Sequence, residues 1–238
     1  NAGTYPANFA DGTVDTVDAT GKYIVKGTQN GELKISPVTQ EVTIKVTGHK
    51  GGEKYNGEKQ TVKGYDIDAA TLPTGVAASD VKYNATASVS ATNAGEYAMG
   101  LKDTQFLLTS DAAKNYTNVK FEVVDGKLTI DKRQVTLESK DGQKNYDGKT
   151  LQRRTNLKVS GDGFVGKDDV LAKEKLTWYD ENNILPGTYK NKFDPAYTKG
   201  TNLNNYEVTL KFGELVVDAR PDKDKYEITV TANSDTRT

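Results

Sequence analysis

Hydrophobic and polar residues alternate along several short stretches of the chain. In Val42-Thr43-Ile44-Lys45-Val46 the apolar residues occupy the even positions, and the run from Val119 to Val123 has the same alternation. A period of two is typical of a strand that buries one face. Turn residues such as Asn56-Gly57 and Asp147-Gly148 separate these stretches. The pattern therefore predicts an all-β chain built from short strands.

The predicted strands recur with a period of about 90 residues. A Gly-x-Tyr sequence begins at Gly3, at Gly95 and at Gly187, and each copy follows the previous one by 92 residues. Asn205-Tyr206 follows Asn115-Tyr116 by 90 residues. Because a period of this length matches a small β-sandwich, we expect tandem units of that size.

The order of the motifs predicts one partial unit and two complete ones. Residues 1–38 form the C-terminal half of a truncated β repeat, and residues 39–131 and 132–221 form complete repeats. Residues 222–238 form a tail that carries the opening strand of a further repeat, so the chain is interpreted as a fragment of a longer protein. The joints between the units are short, which favours a semi-rigid rod.

Recurring glycine and tyrosine residues are expected to have structural roles. In the Gly-x-Tyr element we expect the tyrosine to bury its ring and to place its hydroxyl on a main-chain acceptor. The same arrangement marks the tyrosine corner of immunoglobulin-like sandwiches. The predicted structural residues are Gly95, Tyr97, Gly187, Tyr189, Tyr116 and Tyr206.

Taken in order, these motifs resemble the YDG and MBG repeats of bacterial surface proteins and adhesins. The residues that carry the resemblance are Tyr146-Asp147-Gly148, Tyr55-Asn56-Gly57, Asn93 to Tyr97, Asn115-Tyr116 and Gly126 to Ile130. The resemblance covers nearly the whole chain and implies extracellular β modules in tandem on a cell surface, without a catalytic site. The expected fold is a series of immunoglobulin-like β-sandwich repeats. The alternative is a β-grasp-like repeat, whose helix would lie within residues 102–113.

Composition limits the chemistry of the chain. The 32 Lys and Arg residues nearly balance the 33 Asp and Glu residues, so no strong overall attraction to nucleic acid or acidic membranes exists. The chain has no cysteine, which excludes disulfides and thiolate metal sites. No apolar run approaches the roughly 18 residues that span a bilayer. We therefore expect no nucleic-acid partner, no direct membrane insertion of this fragment and no cofactor.

Three features suggest a reactive or ligand-binding site, and each has a simpler interpretation. His49, the sole histidine, lies in a glycine-rich turn and is expected to be solvated. Residues 161–166 spell Gly-x-Gly-x-x-Gly but lack the parallel βαβ context of a dinucleotide site, so a turn is expected. The paired carboxylates lack the spacing of an EF-hand and are expected to be solvated. These pairs are Asp66 with Asp68, Asp168 with Asp169 and Asp222 with Asp224.

Trp178-Tyr179 is the one aromatic pair that does not recur, and it provides the weak candidate residues for ligand binding. Exposed aromatic faces stack on sugars or anchor a protein partner. In the alternative, Leu176 and Trp178 face the core of a unit. No catalytic residue and no metal ligand is predicted.

These observations indicate an extracellular repeat region of a bacterial surface adhesin that acts as a stalk or spacer and takes part in cell adhesion. The alternatives are a module that binds glycan, mucin or host protein, and an accessory region of a large secreted enzyme. The expected partner is a host glycan or a host surface protein. End-to-end self-association is also considered, because Ile228-Thr229-Val230 matches Val42-Thr43-Ile44, the opening strand of a unit.

Overall fold

A computed structural model describes residues 1–9, 20–24, 27–166, 171–179 and 182–237. The chain is mostly β, with 42% of residues in strands and 10% in helical conformations. This result confirms the all-β prediction. Within the described ranges, one α-helix is present, α1 (Ser110–Asn115).

Twenty strands are formed by the described residues. The first twelve are β1 (Gly3–Ala7), β2 (Gly31–Ile35), β3 (Val42–Gly48), β4 (Lys50–Gly51), β5 (Gln60–Lys63), β6 (Tyr65–Ile67), β7 (Val81–Tyr83), β8 (Ser88–Ala91), β9 (Gly95–Ala98), β10 (Phe106–Leu108), β11 (Val119–Val124) and β12 (Lys127–Ile130). The others are β13 (Arg133–Ser139), β14 (Gly142–Asn145), β15 (Leu157–Gly161), β16 (Thr177–Trp178), β17 (Gly187–Lys190), β18 (Phe193–Asp194), β19 (Tyr206–Lys211) and β20 (Glu214–Asp218). Short 3-10 turns lie at Ala69–Thr71, Ala78–Asp80, Asp103–Gln105, Lys173–Lys175, Leu203–Asn205 and Asp222–Asp224.

The chain divides into two compact units. Unit 1 contains Asn1–Gly52, Lys59–Ala91 and Glu96–Thr129. Unit 2 contains Glu53–Glu58, Thr92–Gly95 and Ile130–Thr238. Each unit has its own apolar core, around Ile44 and Phe121 in unit 1 and around Leu137 and Phe193 in unit 2.

In each unit two strand segments pair in parallel with one constant register, and we call this pairing the parallel ladder. Its first strand is β3 with β4 in unit 1 and β13 with β14 in unit 2, and its last strand is β11 with β12 and β19 with β20, respectively. In unit 1, β3 pairs with β11 and β4 pairs with β12, so that 77 residues separate Val42 from Val119 and also Gly51 from Leu128. In unit 2, β13 pairs with β19 and β14 with β20, with 73 residues from Arg133 to Tyr206 and from Asn145 to Asp218. A short interruption, which we call the ladder break, separates β3 from β4 and β11 from β12 in unit 1, and β13 from β14 and β19 from β20 in unit 2. The register is the same on both sides of this break.

Each ladder runs through two three-stranded sheets. In unit 1 the sheets have the strand orders β11-β3-β6 and β4-β12-β9, and in unit 2 they have the orders β15-β13-β19 and β14-β20-β17. The first strand is therefore central in one sheet, and the last strand is central in the other. This topology makes the ladder the element that both sheets share.

The alternating residues of the ladder strands lie as the sequence predicts. Ile44 and Val46 of β3 are buried while Lys45 between them is exposed, and Phe121 of β11 is buried between exposed Lys120 and Glu122. Val135 and Leu137 of β13 are also buried. One face of each ladder strand thus contributes to the core.

The core at the ladder break differs in polarity between the units. In unit 1, Met99 lies beside the ladder break, and its backbone N–H donates to the Gly126 carbonyl at 2.8 Å. In unit 2 the corresponding residue is Asn191, whose N–H donates to the Gly213 carbonyl at 2.8 Å. The Ser139 hydroxyl donates to the Asn191 carbonyl at 2.6 Å and accepts from the Gly213 N–H at 3.0 Å.

The strand pair at the N-terminus matches one edge of a complete unit. β1 and β2 are antiparallel, with Gly3 opposite Ile35, just as Gly187 of β17 lies opposite Val217 of β20. At the other end of the chain, residues 226–237 form neither strand nor helix, and Ile228 is 82% exposed. An isolated strand has no neighbour for its backbone groups, which explains the irregular conformation of this tail.

Two stretches depart from their sequence-based assignments. The sequence from Val81 to Ser90 suggests a single strand, but β7 and β8 are separate because β7 pairs with β10 while β8 pairs with β5. The range 102–113, in which the helix of a β-grasp-like repeat would lie, contains Phe106 and Leu107. These residues lie in β10, and the helical residues flank them at Asp103–Gln105 and in α1.

We expect Gly213→Ala to destabilise unit 2, because Gly213 lies at the ladder break. A methyl group at this position would stand 2.5 Å from the Ser139 carbonyl oxygen and 2.6 Å from that of Lys140, so the two strands would have to separate. Overpacking of this kind costs about 1–3 kcal/mol. Urea unfolding monitored by the fluorescence of Trp178, the sole tryptophan, measures the effect on unit 2.

Gly187→Ala is the matched control. The nearest atom to its added methyl group would be the Tyr189 hydroxyl oxygen at 3.6 Å, which is an ordinary van der Waals distance. Its free energy of unfolding should stay within about 0.5 kcal/mol of the unmodified chain. Equal losses for the two variants would contradict the close-approach role of Gly213.

Candidate functional site

The Tyr-[Asn/Asp]-Gly motifs are tight turns that end the parallel ladder. The Tyr55 N–H donates to the Asp131 carbonyl and the Tyr146 N–H donates to the Asp218 carbonyl, both at 2.8 Å. In each case the tyrosine follows the first ladder strand, and its acceptor ends or directly follows the last one. The motif therefore adds one more backbone bond at the end of the ladder.

The remaining residues of this motif build the turn itself. Asn56 Oδ1 accepts from the Glu58 N–H, and Asp147 Oδ1 accepts from the Lys149 N–H, both at 2.9 Å. This is the geometry of an Asx-turn. The glycine between them has a positive φ, 84° at Gly57 and 75° at Gly148, a conformation that glycine adopts without strain.

Lys144 bonds to the second of these turns, Tyr146-Asp147-Gly148. Its Nζ donates to Asp147 Oδ1 at 2.5 Å. This bond, followed by the bond from the Lys149 N–H, lowers the pKa of the Asp147 carboxyl. The carboxylate form is the one that accepts both bonds, so the ion pair supports the turn conformation.

An arginine that follows the last ladder strand contacts the tyrosine of the Tyr-[Asn/Asp]-Gly motif. Arg133 donates from Nη1 to the Tyr55 carbonyl at 3.3 Å and from Nε to the Gly163 carbonyl at 2.8 Å. At the corresponding place, the guanidinium carbon of Arg220 lies 6.0 Å from the centroid of the Tyr146 ring. Both arginines therefore contact the turn that ends their ladder.

The Gly-x-Gly-x-x-Gly sequence is a turn that follows β15, a strand antiparallel to β13. Asp162 in this turn accepts from Lys54 Nζ at 2.7 Å and from the Gln134 N–H at 2.9 Å. The bond from Lys54 is the main cause that lowers the pKa of the Asp162 carboxyl. A Cβ on Gly161 would stand 2.5 Å from the Gln134 carbonyl oxygen, so this glycine allows the turn to approach β13.

A recurring asparagine holds the Asn-Ala segment that precedes each Gly-x-Tyr strand. In unit 2, Asn205 Oδ1 accepts from the Ala94 N–H at 2.7 Å, and Asn205 Nδ2 donates to Asn93 Oδ1 at 3.0 Å. In unit 1, Asn115 accepts from the Ala2 N–H at 2.7 Å and donates to Asn1 Oδ1 at 3.0 Å. We call this two-point contact the asparagine clasp.

The clasp was missed in the sequence, although both of its parts recur there. The tyrosine of each Asn-Tyr pair was assigned a structural role, whereas the asparagine before it makes the contact. Asn205 is fully buried, so its amide depends on the Asn-Ala segment for hydrogen bonds. The signal was the shared recurrence of Asn-Ala and Asn-Tyr.

The Gly-x-Tyr tyrosines bond locally. The Tyr189 hydroxyl donates to the Leu185 carbonyl and the Tyr5 hydroxyl donates to the Asn1 carbonyl, both at 2.8 Å and four residues back. Tyr97 and Tyr189 are half-buried, rather than largely buried as expected. The Tyr189 ring lies over Gly187, within 3.7 Å of where a Cβ would stand, so the ring packs along its own strand. Gly95, the glycine of the second copy, begins β9.

The two tyrosines of the Asn-Tyr pairs make different contacts. The Tyr116 hydroxyl donates to the Thr74 carbonyl at 2.6 Å. Tyr206 is buried, and its ring makes edge contacts with Tyr55 and Phe164. Its hydroxyl accepts from the Val165 N–H at 3.3 Å, and burial raises the pKa of the Tyr206 phenol.

Trp178 and Tyr179, the candidate ligand-binding residues, lie at a short strand pair in unit 2. Trp178 is opposite Phe193 across β16 and β18, with ring centroids 5.3 Å apart. Trp178 and Leu176 both pack against the core that contains Phe193. The Tyr179 side chain, 46% exposed, donates its hydroxyl to Asp194 Oδ2. This bond raises the pKa of the Tyr179 phenol. The pair therefore presents one packed ring and one exposed ring beside a carboxylate.

His49 lies at the break between β3 and β4 and bridges two groups of unit 1. Nδ1 donates to the Lys63 carbonyl at 2.7 Å, and Nε2 lies 3.1 Å from Asp66 Oδ1. Only the protonated imidazole donates from both nitrogens, and the bond to Asp66 is the main cause that raises the pKa of His49. The expected solvated loop residue is therefore partly exposed but engaged on both nitrogens.

Two of the other carboxylates that were considered as metal ligands have local partners. Asp68 Oδ1 accepts from the Ala70 N–H at 3.0 Å, and Asp222 Oδ1 accepts from Lys225 Nζ. Asp168 and Asp169 lie outside the described residues. Among the described side chains, no group of three His, Asp or Glu residues is placed to share a metal ion.

Two surface grooves accompany the sheets. In unit 1 a groove of about 570 Å³ runs beside β11 and is lined by Lys120 and Glu122 together with the turn at Lys102–Thr104. In unit 2 a groove of about 340 Å³ lies beside β15, and its apolar lining includes Leu157 and Leu176.

Helices of the described ranges are too short and too polar to cross a membrane.

We expect Asn205→Ala to destabilise unit 2 by about 1–3 kcal/mol. The substitution leaves the part-buried Ala94 N–H without its acceptor and removes one of the two donors to Asn93 Oδ1, and the loss of hydrogen-bond partners at a buried amide costs this amount. Asn204→Ala is the control, because the Asn204 side chain is exposed. The midpoint of urea unfolding followed by Trp178 fluorescence reports both. Indistinguishable midpoints would show that the clasp contributes no stability.

We expect a pKa above about 6.5, the usual value for histidine, in an NMR titration of the His49 ring protons. Asp66→Asn should lower this pKa, since the substitution removes the main hydrogen-bonding partner, while Glu41→Gln should not change it. The sole histidine makes the signal unambiguous. Because the folded pKa is raised, the stabilising contribution is complete below about pH 6.5 and is lost as the pH rises through the folded value. A pKa at or below 6.5 would contradict the described contact.

No protein-family model matches the chain, and comparisons with curated proteins and with solved structures found no match. The assignment of a function therefore depends on the contacts that the chain's own residues make.

Proposed function

We propose that the chain belongs to the extracellular repeat region of a bacterial surface adhesin. In this proposal, immunoglobulin-like repeats of the YDG and MBG type form a stalk between the cell surface and a distal adhesive part. The chain itself performs no catalysis and requires no cofactor. Its contribution to adhesion is to set the distance between the cell and the host glycan or host protein.

The observation that carries the proposal is that recurring motif residues make the same backbone contacts at each place where the motif occurs. Asn115 and Asn205 hold corresponding Asn-Ala segments, and Tyr55 and Tyr146 bond to corresponding carbonyl groups. A spacer of interchangeable modules needs residues that maintain the same contacts in every module. A specific binding site would instead be expected in residues that differ between the repeats.

Tyr179 supports a second candidate function, a glycan- or mucin-binding module. It belongs to the aromatic pair that does not recur, its ring is exposed, and Asp194 accepts from its hydroxyl. An exposed ring beside a carboxylate suits the stacking and hydrogen bonding that bind a sugar. If Tyr179 binds a mucin glycan, Tyr179→Ala should weaken mucin binding about tenfold or more, whereas Tyr226→Ala, at another exposed tyrosine, should not.

In-frame removal of single repeats from the parent protein distinguishes the two functions. Deleting 37–131 joins Ser36 to Lys132, and deleting 132–218 joins Asp131 to Ala219. In each variant the residue before the new junction lies at or directly after the end of a strand, as does the residue that it replaces. For a stalk, either deletion should reduce adhesion of intact cells to the same extent, and Tyr179→Ala should have no effect. Antibody labelling of intact cells controls for the amount of protein on the surface.

The pattern of adhesion loss distinguishes the stalk from the binding module. Loss of adhesion from deletion of 132–218 alone, reproduced by Tyr179→Ala, would replace the stalk with the binding module. Absence of antibody labelling on intact cells, together with labelling of lysed cells, would refute the extracellular location.

A further inference from the structure

The parallel ladder determines how tension along the chain would act on each unit. In unit 2 the chain begins the ladder at Arg133 and leaves it at Asp218. Arg133 lies opposite Tyr206 at one end of the ladder, whereas Asp218 lies opposite Asn145 at the other end. The points where the chain begins and leaves the ladder are therefore at its opposite ends.

Tension applied through the chain therefore pulls the first strand backward and the last strand forward. Because the strands are parallel, this force acts along them, and all the hydrogen bonds between them are loaded together. If the same force acted on two strand ends at one end of the ladder, the bonds would open one after another. Loading in shear requires many bonds to fail at once, which raises the force needed for unfolding.

We propose that the parallel ladder is a mechanical clamp that resists tension along the chain. The first and last strands are each also held by an antiparallel neighbour, since β15 pairs with β13 and β17 pairs with β20. A sliding ladder strand would have to break these pairings as well. Unit 1 has the same arrangement, with β6 beside β3 and β9 beside β12.

Side chains in unit 2 extend the clamp across the break between the two sheets. Ser139 Oγ accepts from the Gly213 N–H at 3.0 Å, and Asp141 Oδ1 accepts from the Glu214 N–H at 2.7 Å. These backbone donors of the last strand thus remain bonded to residues of the first strand where the backbone pairing is interrupted. The two parts of the ladder are joined and carry load as one element.

The biological use of this clamp rests on the proposed stalk function, since a stalk between a cell and a host surface carries tension whenever flow moves the cell. The clamp itself is a property of the folded unit and can be measured without any host partner. A negative result in that measurement would leave the proposed surface location and the deletion experiment unaffected. A negative result in those experiments would likewise leave the mechanical property intact.

Single-molecule stretching of the 238-residue chain with two attachment geometries tests the proposal. The chain has no cysteine, so a pair of introduced cysteines defines where the handles attach. The variant Lys132→Cys with Ala219→Cys pulls the ladder of unit 2 from opposite ends. The variant Lys149→Cys with Ala219→Cys pulls from residues near one end, and the shared Ala219→Cys makes the pair matched.

At the same loading rate, the opposite-end variant should unfold at a median force at least twofold higher than the same-end variant. Thermal unfolding of both variants without handles should give the same midpoint, which excludes a difference in stability as the cause. Equal median forces, or a higher force for the same-end variant, would overturn the proposal.

Discussion

The structure of each unit depends on one constraint, namely that the first and last strands of its ladder pair in parallel. Parallel neighbours cannot be joined by a tight hairpin, so the chain between them must return to the end from which it started. In unit 1 this return occupies the residues between β4 and β11, and it supplies the outer strands and most of the apolar core. The two sheets and the core are consequences of this pairing.

The motifs that recur in the sequence are concentrated at the ends of the ladder. The Tyr-[Asn/Asp]-Gly turn and the arginine that contacts it lie where the ladder ends, and the asparagine clasp lies just before the last strand begins. Their side chains satisfy backbone groups that would otherwise lose their partners at a strand end. This location explains why residues of modest chemical reactivity recur at constant spacing.

The sequence was sufficient to predict a β-rich fold but insufficient to predict which strands pair. Alternation identifies a buried face, as at Ile44 and Phe121, yet it is the same for parallel and antiparallel neighbours. Splitting of the strand expected from Val81 to Ser90 likewise follows from pairing with two different partners. The contact between His49 and Asp66 was beyond prediction, because it forms only when β3 and β6 become neighbours.

The contrast between Met99 and Asn191 has a consequence for folding. Neighbouring repeats with similar sequences tend to exchange strands and become trapped in misassembled forms. A strand exchanged between these units would place the Asn191 amide, which donates to the Lys140 and Arg154 carbonyl groups, in the apolar site of Met99. Its lost hydrogen bonds would penalise the exchanged form. The polar residue at one core position thus distinguishes unit 2 from unit 1, which their shared motifs do not.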